Sequence, residues 1–262
     1  MLYTFIYRVA LLALKVFFNE VTIQNRENVP QNSPVIFVAN HPNFFMDPLI
    51  VGSCCPRILH FFAKSTIFSS RFKNFILEKL NLIPIYRKID DEANMGKNVD
   101  SFIRGYEILE KNGAFLIFPE GISMGRRVLE KLKTGAARIG LEAEARNNFS
   151  LNCCIIPIGI SYSDLVRFRS DIMVRFGDPI FLKNFQEEYN SNEKQAVKSL
   201  TGEIEHALNN LTNYVQNEEV EDIVSGLELI YKMELMMEMG MELEDRNDDF
   251  LTSKLLTDAV QW

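Results

Sequence analysis

Val35-Ile36-Phe37-Val38-Ala39-Asn40-His41-Pro42-Asn43-Phe44-Phe45-Met46-Asp47-Pro48 is the stretch on which the reading of this chain turns. It opens on an apolar run, Pro34–Ala39, with no polar alternation, as expected of a short strand covered on both faces. Asn40-His41-Pro42-Asn43 then has turn chemistry. Asp47-Pro48 reads as a helix start, with Asp as N-cap and Pro at the first helical position. The same residues carry chemistry. Histidine is the side chain best suited to take a proton at neutral pH, and an aspartate bonded to its ring fixes the tautomer and stabilises the imidazolium. The chain has three histidines, His41, His60 and His206, so a histidine base has few candidates.

Outward from this stretch the pattern repeats. Leu59–Ala63, Ile83–Tyr86, Ala114–Phe118, Cys153–Ile160 and Ile172–Phe176 are further β-branched or aromatic runs. Helical patterns lie between them at Pro48–Cys55, Arg71–Leu80, Asn94–Glu110 and Thr134–Ala145. Strands alternating with helices predict an α/β fold. The expected architecture is a central mixed, largely buried sheet flanked by helices, with an N-terminal apolar helix and a C-terminal helical extension. Three segments are expected: residues 1–20 as a membrane-associating helix, 21–190 as the α/β domain and 191–262 as an acidic helical extension. In that extension Glu193–Asn217 and Glu218–Met241 read as amphipathic helices, the second with Val220, Ile223, Val224, Leu227, Ile230 and Tyr231 on one face. Its methionines, Met233, Met236, Met237, Met239 and Met241, read as core filling, the other possibility being an adaptable apolar surface.

The chain of 262 residues carries a net charge of −7 and is 47% hydrophobic, enough to bury a core. The charge is uneven: residues 1–180 sum to +5 and residues 181–262 to −12. The basic part suits an anionic ligand or membrane surface; the acidic part does not suit nucleic acid, for which no motif is present. Cys54-Cys55 and Cys153-Cys154 lack the spacing of zinc or redox sites and read as buried free thiols. The first 18 residues are apolar apart from Arg8 and Lys15. As a helix of about 27 Å the segment is marginal for crossing a bilayer, and it lacks a cleavage site, so an in-plane membrane helix with snorkelling cations is expected. A buried core helix is the alternative.

Three more stretches draw attention. Phe118-Pro119-Glu120-Gly121-Ile122-Ser123-Met124-Gly125-Arg126-Arg127 follows a strand, where α/β sheets place their ligand crevice, and its glycines, serine and arginines could cradle an anion, with Lys131 and Lys133 close by. Ile83-Pro84-Ile85-Tyr86-Arg87-Lys88 puts two cations just past another strand. Ile155-Ile156-Pro157-Ile158-Gly159 is an apolar strand interrupted by proline, which implies an edge or bulge position.

Taken in this order, the stretches resemble the motif blocks of the phospholipid/glycerol acyltransferase superfamily, over roughly residues 30–180. His41 with Asp47 resembles its catalytic pair, Ile85-Tyr86-Arg87 its acceptor-phosphate block, Phe118-Pro119-Glu120-Gly121 with Ser123 its third block and Ile156-Pro157-Ile158-Gly159 its fourth. The common motif has four residues between His and Asp; here there are five, a spacing similar to that of a subgroup including fungal glycerol-3-phosphate and dihydroxyacetone-phosphate acyltransferases. The third block reads Gly-Ile-Ser, so its basic residue is displaced to Arg126 or Arg127. The resemblance implies transfer of a fatty acyl chain from acyl-CoA or acyl carrier protein to a hydroxyl of glycerol-3-phosphate or 1-acylglycerol-3-phosphate. It implies His41 and Asp47 as catalytic residues, and Arg87, Lys88, Phe118, Pro119, Glu120, Gly121, Ser123, Arg126 and Pro157 as substrate-binding ones. It calls for no metal and no cofactor beyond the acyl co-substrate, and it places the protein on the cytoplasmic face of a membrane. Rival readings are a metal-dependent hydrolase, which lacks further ligands of suitable spacing, a non-catalytic lipid- or partner-binding module, and a CoA-independent transacylase.

Overall fold

The computed structural model describes residues 2–86, 96–123, 125–128 and 130–261. Among them, eight strands form one sheet: β1 (Glu20–Gln24), β2 (Val35–Ala39), β3 (Leu59–Lys64), β4 (Leu82–Ile85), β5 (Ala114–Ile117), β6 (Cys154–Tyr162), β7 (Asp171–Phe176) and β8 (Ile180–Phe181). Their order is β1-β7-β6-β2-β5-β3-β4, with β8 alongside β6. β2 runs parallel to β5 and β6, β3 parallel to β5 and β4, and β1 parallel to β7; β6 meets β7 and β8 antiparallel. The sheet is thus mixed, as the sequence predicts.

Nine α-helices accompany the sheet among the described residues: α1 (Leu2–Phe17), α2 (Met46–Cys54), α3 (Arg71–Lys79), α4 (Asn98–Glu110), α5 (Gly135–Arg146), α6 (Gln186–Ser191), α7 (Glu193–Leu211), α8 (Glu218–Glu238) and α9 (Arg246–Val260). All five side chains of β2 are buried, and its pleat deals them to two cores. Ile36 and Val38 pack with Phe115, with Ala137 and Ile139 of α5 and with Leu200 and Ile204 of α7. Val35, Phe37 and Ala39 pack on the other face with Ile50 and Val51 of α2 and Leu14 of α1. A strand with apolar layers on both sides has no polar face to alternate. Each large side chain so buried stabilises the fold by roughly 1.5–3 kcal/mol. α7, in the acidic part of the chain, belongs to the same core as β2.

The structure corrects several expectations. Asp47 is not an N-cap. The helix begins at Met46, and Phe45 at the cap position makes no side-chain cap bond. Asn43 serves the first turn instead, its Oδ1 accepting the Met46 N–H at 3.4 Å, because the Asp47 carboxylate is turned inward. Pro157 does not lie on an edge strand: β6 is interior, with Pro157 opposite Val38 of β2. Proline is tolerated because its other side faces the break between β7 and β8, where the Pro157 carbonyl accepts the Gly177 N–H at 2.8 Å. β1, β8, α6 and α9 are additional elements. β1 is a half-polar edge strand and β8 has two residues, so neither carries a readable pattern. The first tail helix ends at Leu211, leaving 212–217 as an ordered connection. On α8 only Val224 and Met236 are buried, while Ile223, Ile230, Met233 and Met237 are more than half exposed. The helix lies on the surface, so most of its methionines face outward rather than fill a core.

Candidate functional site

The carboxyl ends of β2 and β5 lie side by side, and the site is built on the two loops that leave them. β2 stops after Ala39 because the Asn40 side chain replaces the next backbone rung: its Oδ1 accepts the Ile160 N–H at 2.7 Å and its Nδ2 donates to Ile160 O at 2.8 Å. The chain then turns and presents His41, whose ring stacks on Phe118 with centroids 3.9 Å apart and planes at 14°. The His41 backbone N–H donates to Glu120 Oε1 at 2.9 Å, linking the two loops.

His41 Nδ1 lies 2.8 Å from Asp47 Oδ2. The five-residue spacing closes without strain because α2 starts at Met46 and carries Asp47 back under the ring. Oδ2 also accepts the Asn43 N–H at 2.8 Å, and Oδ1 accepts the Tyr162 hydroxyl. The carboxylate is fully buried. Burial pushes its pKa up, while the bonds from His41, Tyr162 and Asn43 pull it down. With Nδ1 held by a carboxylate, Nε2 is the ring nitrogen left for proton transfer. Burial beside Asp47 raises the Tyr162 hydroxyl well above its ordinary value, so it stays a donor. Glu120 is buried as well; burial, with the charges of Asp47 and Glu130, raises its pKa to about 7 against donation from the His41 and Glu130 backbone N–H groups.

His41 borders a cavity of about 1390 Å³. One wall is Phe118, Pro119, Glu120, Gly121 and Ser123. Another is apolar and includes Tyr7 of α1, Phe44 just before α2, Leu49 on it, and Phe61, Leu77 and Phe102. Lys64, Lys131, Lys133 and Arg138 also line it. Gly121 has φ +70°, a backbone conformation that favours glycine, with the flexible end of Lys133 lying against it.

Several expected residues therefore meet: His41, Asp47, Phe118, Pro119, Glu120, Gly121 and Ser123. Others do not. Arg126 pairs with Glu218 at 3.2 Å and Arg127 with Glu228 at 2.9 Å, both on α8 and neither lining the cavity. Pro157 is held within the sheet, away from the cavity. Arg87 and Lys88 lie outside the described residues; Tyr86, just before them, lines the cavity. His60 is half-buried on β3 with Nδ1 3.3 Å from Ala114 O, and His206 contacts Asn210 on α7. All four cysteines are free and buried, and burial raises Cys55 and Cys154 to about 12. Sequence reasoning missed Tyr162, Tyr214, Lys64 and Arg138. Tyr162 ends a strand already read from its apolar run, which is the one signal that could have found it. Tyr214 lies in a connection with no periodicity.

A buried His–Asp pair beside a large cavity with an apolar wall, at the carboxyl ends of central parallel strands, is the geometry of an α/β enzyme. A family model described as "Acyltransferase" matches residues 20–161, more than half of the sequence. The chain belongs to this family, within the phospholipid/glycerol acyltransferase superfamily. It is 32% identical over 143 residues to "Glycerol-3-phosphate O-acyltransferase 1" of Saccharomyces cerevisiae, covering 53% of this chain and 19% of that protein. It is 27% identical over 153 residues to the "1-acyl-sn-glycerol-3-phosphate acyltransferase" of Borreliella burgdorferi, covering 54% and 58%. The chain thus matches about a fifth of the yeast relative's length and just over half of the bacterial one's. The crystal structure of the 1-acyl-sn-glycerophosphate acyltransferase of Thermotoga maritima superposes with a TM-score of 0.54 at 19% identity, over 78% of this chain and 79% of that one. That likeness confirms the fold.

Proposed function

We propose that the protein transfers a fatty acyl chain from a thioester, acyl-CoA or acyl carrier protein, to a hydroxyl of glycerol-3-phosphate or 1-acylglycerol-3-phosphate, in phospholipid synthesis. The observation that carries this is the buried His41–Asp47 pair opening into a cavity with an apolar wall and a set of cations. An apolar wall suits an acyl chain; Lys64, Lys131, Lys133 and Arg138 suit a phosphate. The names of the yeast and bacterial relatives support the same acceptors.

In this reading His41 Nε2 removes the proton from the acceptor hydroxyl. The oxygen attacks the thioester carbonyl, the new C–O bond forms, the C–S bond breaks, and the thiolate leaves and recovers the proton from His41. Asp47, held by Tyr162 and Asn43, keeps Nδ1–H donated and stabilises the imidazolium. Binding the phosphate places the hydroxyl at Nε2, and such positioning supplies several kcal/mol of a barrier. Phe118, Pro119, Gly121 and Ser123 form the wall beside the reacting atoms. Arg87 and Lys88 are further phosphate ligands by resemblance.

The reading includes a membrane surface as partner. Among the described residues no helix is long and apolar enough to cross a membrane. α1 instead turns Val9, Leu12 and Val16 outward, each at least half exposed, beside Arg8 and Lys15. Phe44, Phe45 and Leu49 are exposed at the cavity rim. An in-plane helix beside this rim would let acceptor and product exchange with a bilayer, on the cytoplasmic face where anionic lipid attracts cations. The test is an acyl-transfer assay crossing both acceptors with both carriers. Ester product with one carrier and one phosphorylated acceptor is expected; no product in any combination overturns the reading.

A further inference from the structure

We propose that the C-terminal helical layer is a working part of the site: two consecutive residues, Tyr214 and Val215, tie the His41 loop to the loop after β5 and hold the two at fixed separation. Its kinetic consequence rests on the acyl-transfer reading above; its structural consequence does not.

Tyr214 is buried in the connection between α7 and α8, and its hydroxyl accepts from Asn40 Nδ2 at 3.0 Å. Asn40 is fully buried and already spends its carbonyl and one N–H on Ile160, so Tyr214 takes the remaining donor. That completes the side chain which ends β2 and aims His41. The next residue turns the other way. The Val215 N–H donates to Arg127 O at 2.8 Å, and Val128 and Val215 form a parallel bridge. The same loop is gripped from α8: the Arg127 N–H donates to Glu221 Oε1 at 3.1 Å, and its guanidinium forks onto Glu228 at 3.0 and 2.9 Å. A forked, half-desolvated Arg–Glu pair is stronger and more directional than a surface ion pair. Gly159 fits the arrangement: a Cβ there would lie 2.3 Å from Leu211 O, so glycine lets the end of α7 reach β6 and deliver Tyr214. Tyr214, Val215, Glu221 and Glu228 bond to residues that scaffold the two loops, and none of the four lines the cavity. Tyr214 and Arg127 are therefore positioning residues. Arg127, in the sequence a phosphate candidate, has its charge committed to Glu228.

The test uses the full chain, with Y214F, E228Q, R127E and the charge-swapped R127E/E228R. Two readouts are taken: amide hydrogen exchange in peptides covering the His41 turn and the loop after β5, and kcat and KM with palmitoyl-CoA and glycerol-3-phosphate or 1-acylglycerol-3-phosphate. Y214F should keep its helix content, speed exchange in the His41 turn by about tenfold and lower kcat by about tenfold with acceptor KM little changed. E228Q should speed exchange in the loop after β5 and raise acceptor KM more than it lowers kcat. The charge swap should recover protection lost in R127E. Wild-type exchange in both loops of Y214F and E228Q overturns the proposal. If the unsubstituted chain transfers no acyl group, the reaction reading falls, and the exchange data alone decide the coupling.

Discussion

Among the described residues, Asp47 is the one polar side chain bonded to the His41 ring, so in the proposed reaction the two act as one unit. His41→Ala should lower acyl transfer by about 10²–10⁴-fold with circular dichroism unchanged; near-normal turnover would leave the base unassigned. Asp47→Asn should lower kcat more than it raises acceptor KM, since Asp47 touches the ring and not the cavity. Glu120 makes a separate prediction. Its pKa stands near 7 in the fold against 4.5 ordinarily. Between those values the folded state holds a proton that the unfolded chain has released, so stability falls as pH rises from about 4.5 to 7. Glu120→Gln keeps an acceptor for the His41 N–H and should flatten that decline in urea titrations across the interval. An unchanged slope would mean that Glu120 is already ionised there.

At the scale of elements, α1 has two faces with different work. Leu14 is 6% exposed in the core beneath β2, and Tyr7 reaches Ser53 O at 3.4 Å across α2. The outward face, Val9, Leu12 and Val16, is at least half exposed. The core-helix reading thus holds for the Leu14 side of the helix, and the proposed membrane contact concerns the opposite side. Leu14→Ala should destabilise by about 2–5 kcal/mol in chemical denaturation, whereas Leu12→Gln with Val16→Gln should leave stability alone and release the protein from anionic liposomes in a flotation assay. Retained flotation would remove α1 as the membrane contact. Deleting the whole segment would mix the two effects, because it also strips a wall from the cavity.

At the scale of the molecule, α7 of the acidic C-terminal part is packed into the core with β2, whereas α8 grips the loop after β5 through Arg127 and Glu228. Burial pushes the Glu228 carboxyl up, but its bonds and charge pairing with Arg127 outweigh that and leave it below its ordinary value of 4.5. A depressed carboxyl contributes stability that is present above the unfolded value and lost as pH falls through the folded one. The layer should therefore loosen in acid, below about pH 4.5, with amides of α8 exchanging before those of β2. In E228Q the acid step should vanish and α8 should be loose at every pH. Simultaneous loss of α8 and the sheet would mean that the layer is not a separate cooperative unit.

The sequence by itself determined the strands of the sheet interior and singled out His41 as the candidate base. Val35–Ala39 can be read because a strand buried on both faces must be apolar throughout, and His41 because few residue types do its chemistry and only three histidines are present. Local pattern also located Phe118–Gly121 at a strand end. What only the tertiary structure decided is where charges and hydroxyls of distant segments meet. Asp47 reads both as a helix cap and as the partner of His41 until the fold brings Tyr162 and His41 to its carboxylate. Arg127 reads as a phosphate ligand until α8, about a hundred residues on, presents Glu228. Tyr214 carries no signal in its own neighbourhood. Periodicity reports which way a side chain faces within its own element; a hydrogen bond across 174 residues depends on the packing of whole layers, and that is fixed only when the cores close.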